Sequence, residues 1–253
     1  MLGPPGAGKG TQAERFARTR GIPKISTGDI LREAVMTGTE IGTRAKAIMD
    51  RGELVSDDVM IGIVRERLER PDVVSGFVLD GFPRTVAQAA ALDGIMNGRD
   101  PLIIVDIVVP EAELVRRLGT RMICEDCGAN APIAASQAAA ADTAIMPASA
   151  ILASKVAGVF GQSDPNRCQR CGGRLKQRAD DNQAIVLERL KTYHRQSEPL
   201  VEYYRVRSTF RSVNGAQSPD RVAADLAAAI AAAGTVPAVG AAGVTDVAGR
   251  GRA

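Results

Sequence analysis

Gly3-Pro4-Pro5-Gly6-Ala7-Gly8-Lys9-Gly10-Thr11 is the stretch on which the reading of this chain turns. Glycines at this density let the backbone curl until successive N–H groups point inward at a phosphate. A helix starting near Lys9 adds its positive end to the same site. Lys9 is placed to reach terminal phosphates as a point charge. The spacing from Gly3 to Gly8-Lys9 fits the phosphate-loop pattern, but Gly10 stands where Ser or Thr usually binds magnesium, and Thr11 comes one position later. The metal is therefore expected to be held mainly by nucleotide and water, with a protein carboxylate acting through water. The bland alternative is a Gly/Pro-rich turn with no ligand.

Outward from this loop, short apolar runs alternate with amphipathic helical patterns. Strands are expected at Ile22–Ser26, Gly76–Leu79, Leu102–Val109 and Phe210–Val213, and helices at Asp57–Leu68, Glu111–Leu118 and Asn182–Val206. In the last helix Ser218 is the cap, Pro219 takes the first position, and Val222, Leu226 and Ile230 repeat every four residues. Strands alternating with helices predict an α/β fold, a parallel sheet covered by helices on both faces. Two stretches break the pattern: an Ala-rich excursion at 129–161 and a Gly/Ala/Val tail at 234–253, expected to be flexible.

Composition narrows the function classes. At 253 residues the chain is long enough for about one and a half to two domains. Hydrophobic residues make up 45 % and charged residues 24 %, enough for a sizeable core and against wholesale disorder. The formal charge is only +3 and aromatics are 3 %, with no Trp, which argues against nucleic acid as a partner. No apolar run approaches the length of a spanning helix, and no basic-then-apolar leader opens the chain. The expectation is a cytoplasmic protein with no membrane partner.

Further motifs carry a family resemblance. Gly3–Gln12, Ser26-Thr27-Gly28-Asp29-Ile30-Leu31-Arg32, Asp80-Gly81-Phe82-Pro83-Arg84-Thr85 and Arg178-Ala179-Asp180-Asp181 occur in the order and approximate spacing of the adenylate kinases, and the chain resembles that family over most of 2–230. The resemblance implies a nucleoside monophosphate kinase fold with a zinc-ribbon lid, and the reaction ATP + AMP ⇌ 2 ADP with magnesium. It implies a core of 1–25, 56–119 and 182–233, an AMP-binding segment at 26–55 and a lid at 120–181, both closing over substrates. It also implies a monomer whose partners are ATP, AMP and ADP.

Phosphoryl transfer asks for in-line positioning and spread positive charge, and arginine forks suit phosphate oxygens. The expected catalytic set is Lys9, Arg84, Arg121, Arg178, Arg189 and Asp80, the last ending an apolar strand where α/β sheets place ligands. ATP is expected at Gly6, Ala7, Gly8, Lys9, Gly10, Thr11, Arg117, Arg121 and Gln217, with Arg117 against the adenine as in the resembling family. AMP is expected at Thr27, Arg32, Glu53, Leu54, Val55, Gly81, Phe82, Pro83, Arg84, Gln88, Arg178 and Arg189. Thr27 and Gln88 stand where pyrimidine kinases usually show Ala and Asn, and a Gln amide can both donate to and accept from an adenine edge. A kinase with another acceptor or donor, such as GTP, and a non-catalytic zinc ribbon on a kinase scaffold are the alternatives.

Cys124-x2-Cys127 and Cys168-x2-Cys171 are two knuckles that together complete a closed structural zinc site; two disulfides or four free thiols are the alternatives. His194 has no second ligand near it in sequence and reads as a surface or packing residue. Three features depart from the family. Only Met1 and Leu2 precede Gly3 where a central strand of about five residues is implied, an expected loss of about 6–12 kcal/mol of burial that suggests truncation or a misplaced start. The lid carries the Ala-rich excursion, tolerable by loop entropy. Gly128-Ala129-Asn130-Ala131-Pro132 lacks the aromatic or His pair that contacts ATP there.

Overall fold

Pro23 cannot donate a ladder hydrogen bond, so the first strand begins just after it: β1 is Lys24–Ser26, while the Pro23 carbonyl still accepts from the Val78 N–H at 2.9 Å. The computed structural model describes residues 1–99, 101–128, 130–131, 164 and 167–234. β1 pairs in parallel with β2 (Val78–Asp80), Ile25 opposite Leu79. β3 (Ile104–Val108) pairs in parallel with β6 (Phe210–Asn214), Val105 opposite Arg211. All four expected strands are present; β1, β2 and β3 are shorter than the apolar runs that signal them, and β6 extends one residue past its run.

Met1 and Leu2 lie between these pairs. Leu2 forms a parallel bridge with Asp106, donating to the Val105 carbonyl at 2.7 Å and accepting from the Ile107 N–H at 3.1 Å. The Met1 ammonium donates to the Leu79 carbonyl at 2.9 Å. Two residues thus occupy the position between β2 and β3 that the resemblance assigns to a longer strand.

Helices cover both faces, as the α/β pattern requires. On one face α1 (Lys9–Arg20) and α9 (Pro219–Gly234) enclose Val78, Val105, Val213, Val222 and Leu226. On the other, Ala89 of α5 (Val86–Met96) and Leu200 and Tyr204 of α8 (Pro199–Arg205) bury Leu2 and Ile104. A further cluster joins Ile25, Leu31, Val64, Leu79 and Phe82, and takes in α2 (Thr27–Met36), α3 (Glu40–Met49) and α4 (Asp57–Leu68). Among the described residues no helix is long and apolar enough to cross a membrane.

The expected single helix over Asn182–Val206 is corrected. α7 runs Gln183–Thr192, capped by Asn182, whose Oδ1 accepts from the Ile185 N–H at 3.0 Å. Tyr193–Ser197 then form a wide turn in which the Glu198 N–H reaches the Tyr193 carbonyl, five residues back, at 2.9 Å. Pro199 explains the break, because its ring has no N–H and crowds the carbonyl four residues earlier.

Between α6 (Glu111–Gly119) and α7 stands a two-stranded antiparallel ribbon of β4 (Met122–Cys124) and β5 (Leu175–Gln177). Its buried apolar content is Cys124, Cys168 and Leu175, with Met122 and Ala131 against them. Most of the excursion at 129–161, and 235–253 of the tail, lie outside the described residues.

α2 and α3 meet at Gly42, where an added Cβ would lie 2.0 Å from the Ala34 carbonyl oxygen. Gly62, on the exposed face of α4, has nothing within 4 Å of the same position. Gly42→Ala should therefore destabilise by about 1–3 kcal/mol through overpacking, and Gly62→Ala should stabilise by about 0.5–1 kcal/mol. Urea unfolding of both variants beside the parent checks the pair, and shifts in the same direction would refute the close approach of α2 to α3.

Candidate active site

Three glycines with positive φ shape the loop between Leu2 and α1; at Gly3 a side chain would also clash, and at Gly8 the backbone conformation alone favours glycine. Gly3 has φ +127° and an added Cβ would sit 2.5 Å from the Ile107 carbonyl oxygen, so the loop can leave β3 only through glycine. Gly8 has φ +94° at the entrance to α1 and turns the chain so that the helix begins at Lys9. The first amides of α1 point back at the loop, the arrangement that favours an anion. Ala7 packs underneath against Leu114 and Leu118, while Thr11 is exposed on the first turn of α1.

Lys9 folds over the loop, its Nζ donating to the Gly3 and Pro4 carbonyls at 2.7 and 2.8 Å. Burial lowers its pKa to about 8, opposed by Asp80 and reinforced by Arg84, Arg189 and Arg121. Asp80 ends β2 beside α1: a Cβ on Gly10 would lie 3.1 Å from its Oδ2. The small residue at position 10 thus gives the carboxylate its room.

The turn after β2 sets Arg84. Its Nε donates to the Gly81 carbonyl at 2.8 Å, which also accepts from Thr27 Oγ1 at 2.8 Å. Burial, with Arg189 next, brings the Arg84 pKa down to about 10. Gln88 is locked from both ends: its Oε1 accepts from the Arg84 N–H at 2.8 Å and its Nε2 donates to Asp57 Oδ1 at 2.7 Å. Phe82 is fully buried in the core, and Pro83 and Gly81 line the cleft.

Across the cleft the motif 178–181 and α7 supply a mixed cluster. Arg121 grips Asp181 with Nε at 2.6 Å and Nη2 at 2.5 Å. Arg189 Nη1 reaches Asp181 and Asp180 carboxylates at 3.0 Å each. Burial would raise the Asp180 pKa, but Arg189 and then Arg178 pull it below the ordinary range. Arg178 is held at about 10 by burial and then by Arg121 and Arg32, and its Nε is buried without a hydrogen-bond partner. Arg32 pairs with Asp29 on α2.

One cleft brings together Lys9, Arg32, Arg84, Arg189, Glu53 and Leu54. Arg121 and Arg178 stand beside it, close enough to perturb the charges within it. The Val55 side chain belongs to the core, so only its backbone is available to a ligand. Arg117 and Gln217 stand apart, gathered around the end of β6. Arg117 donates to Glu113 at 2.7 Å and the Gly215 carbonyl at 2.9 Å, and Gln217 donates to the Asn214 carbonyl at 3.0 Å and to Asp225 at 2.9 Å. Asp57, Asp180, Asp181 and Tyr193 also belong to these surroundings and were not among the expected residues. Two adjacent acids, one residue beyond an arginine expected to bind phosphate, are the signal that could have found Asp180 and Asp181.

The four cysteine Sγ atoms all lie within 4.8 Å of one another. Cys124 and Cys171 sulfurs are 3.4 Å apart and Cys127 and Cys168 sulfurs 3.7 Å. Zinc–thiolate bonds of about 2.3 Å put the corners of a tetrahedron about 3.8 Å apart, so the donor set fits one such ion. No disulfide joins any of the four. His194 is half exposed, with Nδ1 3.0 Å from Glu198 and Nε2 4.0 Å from Glu111.

The adenylate kinase family model matches residues 1–209. The adenylate kinase of Archaeoglobus fulgidus is 45 % identical over 224 residues, 88 % of this chain and 92 % of that protein. That of Rhizobium rhizogenes is 43 % identical over 231 residues, 90 % of this chain and 96 % of its own, and that of a Geobacillus species 44 % over 228 residues, 89 % and 94 %. With the loop, the cleft at the strand ends and the thiol ribbon all placed on a helix-covered parallel framework, the chain belongs to the adenylate kinase family.

Proposed function

We propose that the chain catalyses reversible phosphoryl transfer from MgATP to AMP, giving two ADP. The observation that carries this reading is the cleft at the end of β2, where Lys9 and Arg84 line the wall, Arg178 stands beside it, and burial depresses the pKa of all three. Cations crowded out of water are stabilised by an anion of high charge, and the base-reading amide of Gln88 stands at the same turn.

In the reaction an oxygen of the AMP phosphate attacks the γ-phosphorus of ATP, and the bond from that phosphorus to the bridging oxygen breaks. Lys9, Arg84, Arg121, Arg178 and Arg189 surround the moving group and neutralise the charge spreading over its oxygens. The loop amides from Gly6 to Thr11 hold the ATP phosphates, while Arg117 and Gln217 mark the adenosine end. Arg32, Glu53, Leu54, Gly81 and Pro83 line the AMP side of the cleft. Val55 offers its backbone, and the buried Thr27, Phe82 and Gln88 shape the wall behind it, the Gln88 amide reaching the base only by exchanging its present partners. Magnesium, which Asp80 would hold through water, supplies further charge neutralisation on the phosphates. The thiols of Cys124, Cys127, Cys168 and Cys171 would hold a structural zinc that stabilises the ribbon. Residues 26–55 and 120–181 act as acceptor segment and lid around a core of 1–25, 56–119 and 182–233. The same proposal, resting on the family resemblance, describes a cytoplasmic monomer.

Lys9→Met should lower kcat about 100- to 1,000-fold in a coupled ADP assay with AMP as acceptor, and a loss of only a few-fold would contradict the role of Lys9. GMP, CMP or UMP turned over as fast as AMP would contradict the acceptor.

Lys9 also makes a pH prediction. Its folded pKa of about 8 lies below the ordinary value of 10.5, so between these values the unfolded chain binds more protons and stability rises with pH. The parent should therefore gain stability relative to Lys9→Met from pH 8 to 10, and nitrogen NMR of the lysine should show a midpoint near 8 that moves up when ATP binds. A midpoint near 10.5 in the free protein would remove the burial argument.

Protein purified without chelator should carry about one zinc, and Cys168→Ser should lower both metal content and the melting temperature of the ribbon. Metal-free protein with four titratable thiols and an unchanged melting curve in the variant would defeat the zinc assignment.

A further inference from the structure

Behind the phosphate loop, on the far side of Tyr193 and Val201 from the active cleft, lies a second cleft of about 630 Å³. It runs between β3, the start of α6, the wide turn at Tyr193–Ser197 and α8. Tyr193 and Val201 line both clefts, so the two stand back to back.

Asp106 lines this second cleft from the middle of β3, between Val105 and Ile107. Only 6 % of the residue is exposed, and its Oδ1 is buried with no hydrogen-bond partner. A carboxylate so placed is stable only if protonated or met by a donor. Burial raises its pKa, opposed by Lys9 and the Met1 ammonium and reinforced by Glu198.

The rest of the cleft says which donor would suit. Its walls are aliphatic at Val108, Leu114 and Val201. At the mouth Glu111 and Glu198 flank one imidazole, His194, at 4.0 and 3.0 Å. Glu202 and Arg205 neutralise each other at 2.6 Å. Among the residues that line this cleft, the carboxylates of Asp106, Glu111, Glu198 and Glu202 outnumber the one guanidinium of Arg205, which disfavours a phosphate there; Lys9 and the Met1 ammonium, which also act on Asp106, line the other cleft.

We propose that this cleft binds a linear aliphatic diammonium ion, of the polyamine class, with one ammonium on Asp106, the methylene chain along Val108 and Val201, and the second ammonium displacing His194 from the carboxylates of Glu111 and Glu198. None of these residues is assigned to phosphoryl transfer, so the site stands or falls separately from the catalytic reading.

Hexamethylenediamine is the probe, titrated calorimetrically into the nucleotide-free full chain. One equivalent should bind saturably, and Asp106→Asn should weaken it at least about tenfold, the loss of a charged hydrogen bond. Glu198→Gln, at an exposed rim position that the fold does not need, should weaken it several-fold. Hexanediol, with the same chain and no charge, should not bind. In the unaltered protein, NOEs from the probe's methylenes should reach the methyls of Val108 and Val201, a readout that survives if Asp106→Asn fails to fold. No saturable heat up to about 10 mM, equal affinity in the two variants and the parent, hexanediol binding as well as the diamine, or NOEs to neither valine would each overturn the proposal.

Discussion

Like charges held together away from water repel strongly, because the solvent that would screen them has been removed. The active cleft accepts that cost at Lys9, Arg84, Arg178 and Arg189, all with pKa values below the ordinary range chiefly through burial. Without a ligand the repulsion is contained by local anions and dipoles. Lys9 rests on two loop carbonyls, and Arg121 and Arg189 lean on Asp181. Phosphate binding at this site is in effect ion exchange: incoming oxygens take over cations that carboxylates and carbonyls already hold. The affinity measured for a nucleotide would be the difference between two sets of charged contacts.

The framework around this cleft was legible where local chemistry decides it. The glycine loop, the cap at Ser218 with Pro219 behind it, and the four apolar runs all announced elements that formed. The boundaries were less legible. Pro23 trims β1, and Pro199 splits what the 3.6-residue pattern presents as one long helix, because periodicity records which face is apolar and not whether each amide has a donor. Partners distant in sequence were invisible. Nothing in the Phe-Pro-Arg turn says that Asp57, thirty-one positions away, holds the amide of Gln88. Asp106 was hidden differently, as one acid inside an apolar run that reads as a buried strand.

The thiol ribbon shows how little core a small unit can have. Among the described residues its buried apolar side chains are a handful around Cys124, Cys168 and Leu175, less than a free-standing ribbon needs. The two sulfur pairs at 3.4 and 3.7 Å fall at spacings that a single tetrahedral ion would impose. Sequence spacing picked out the four cysteines, and the two knuckles face each other with all four sulfurs within 4.8 Å.

The wide turn at Tyr193–Ser197 has a consequence for how this segment tolerates insertion and deletion. α7 delivers Val186 and Leu190 to the cluster under the phosphate loop, whereas α8 delivers Leu200 and Tyr204 to the one under Leu2 and Ile104. A five-residue hydrogen-bonded turn holds one residue more than an α-helical turn. Removing a single residue there would restore an unbroken helical phase and rotate everything beyond it by about 100°. Leu200 and Tyr204 would swing off their cluster together, so the segment is fixed in length although its sequence at 193–197 is partly exposed.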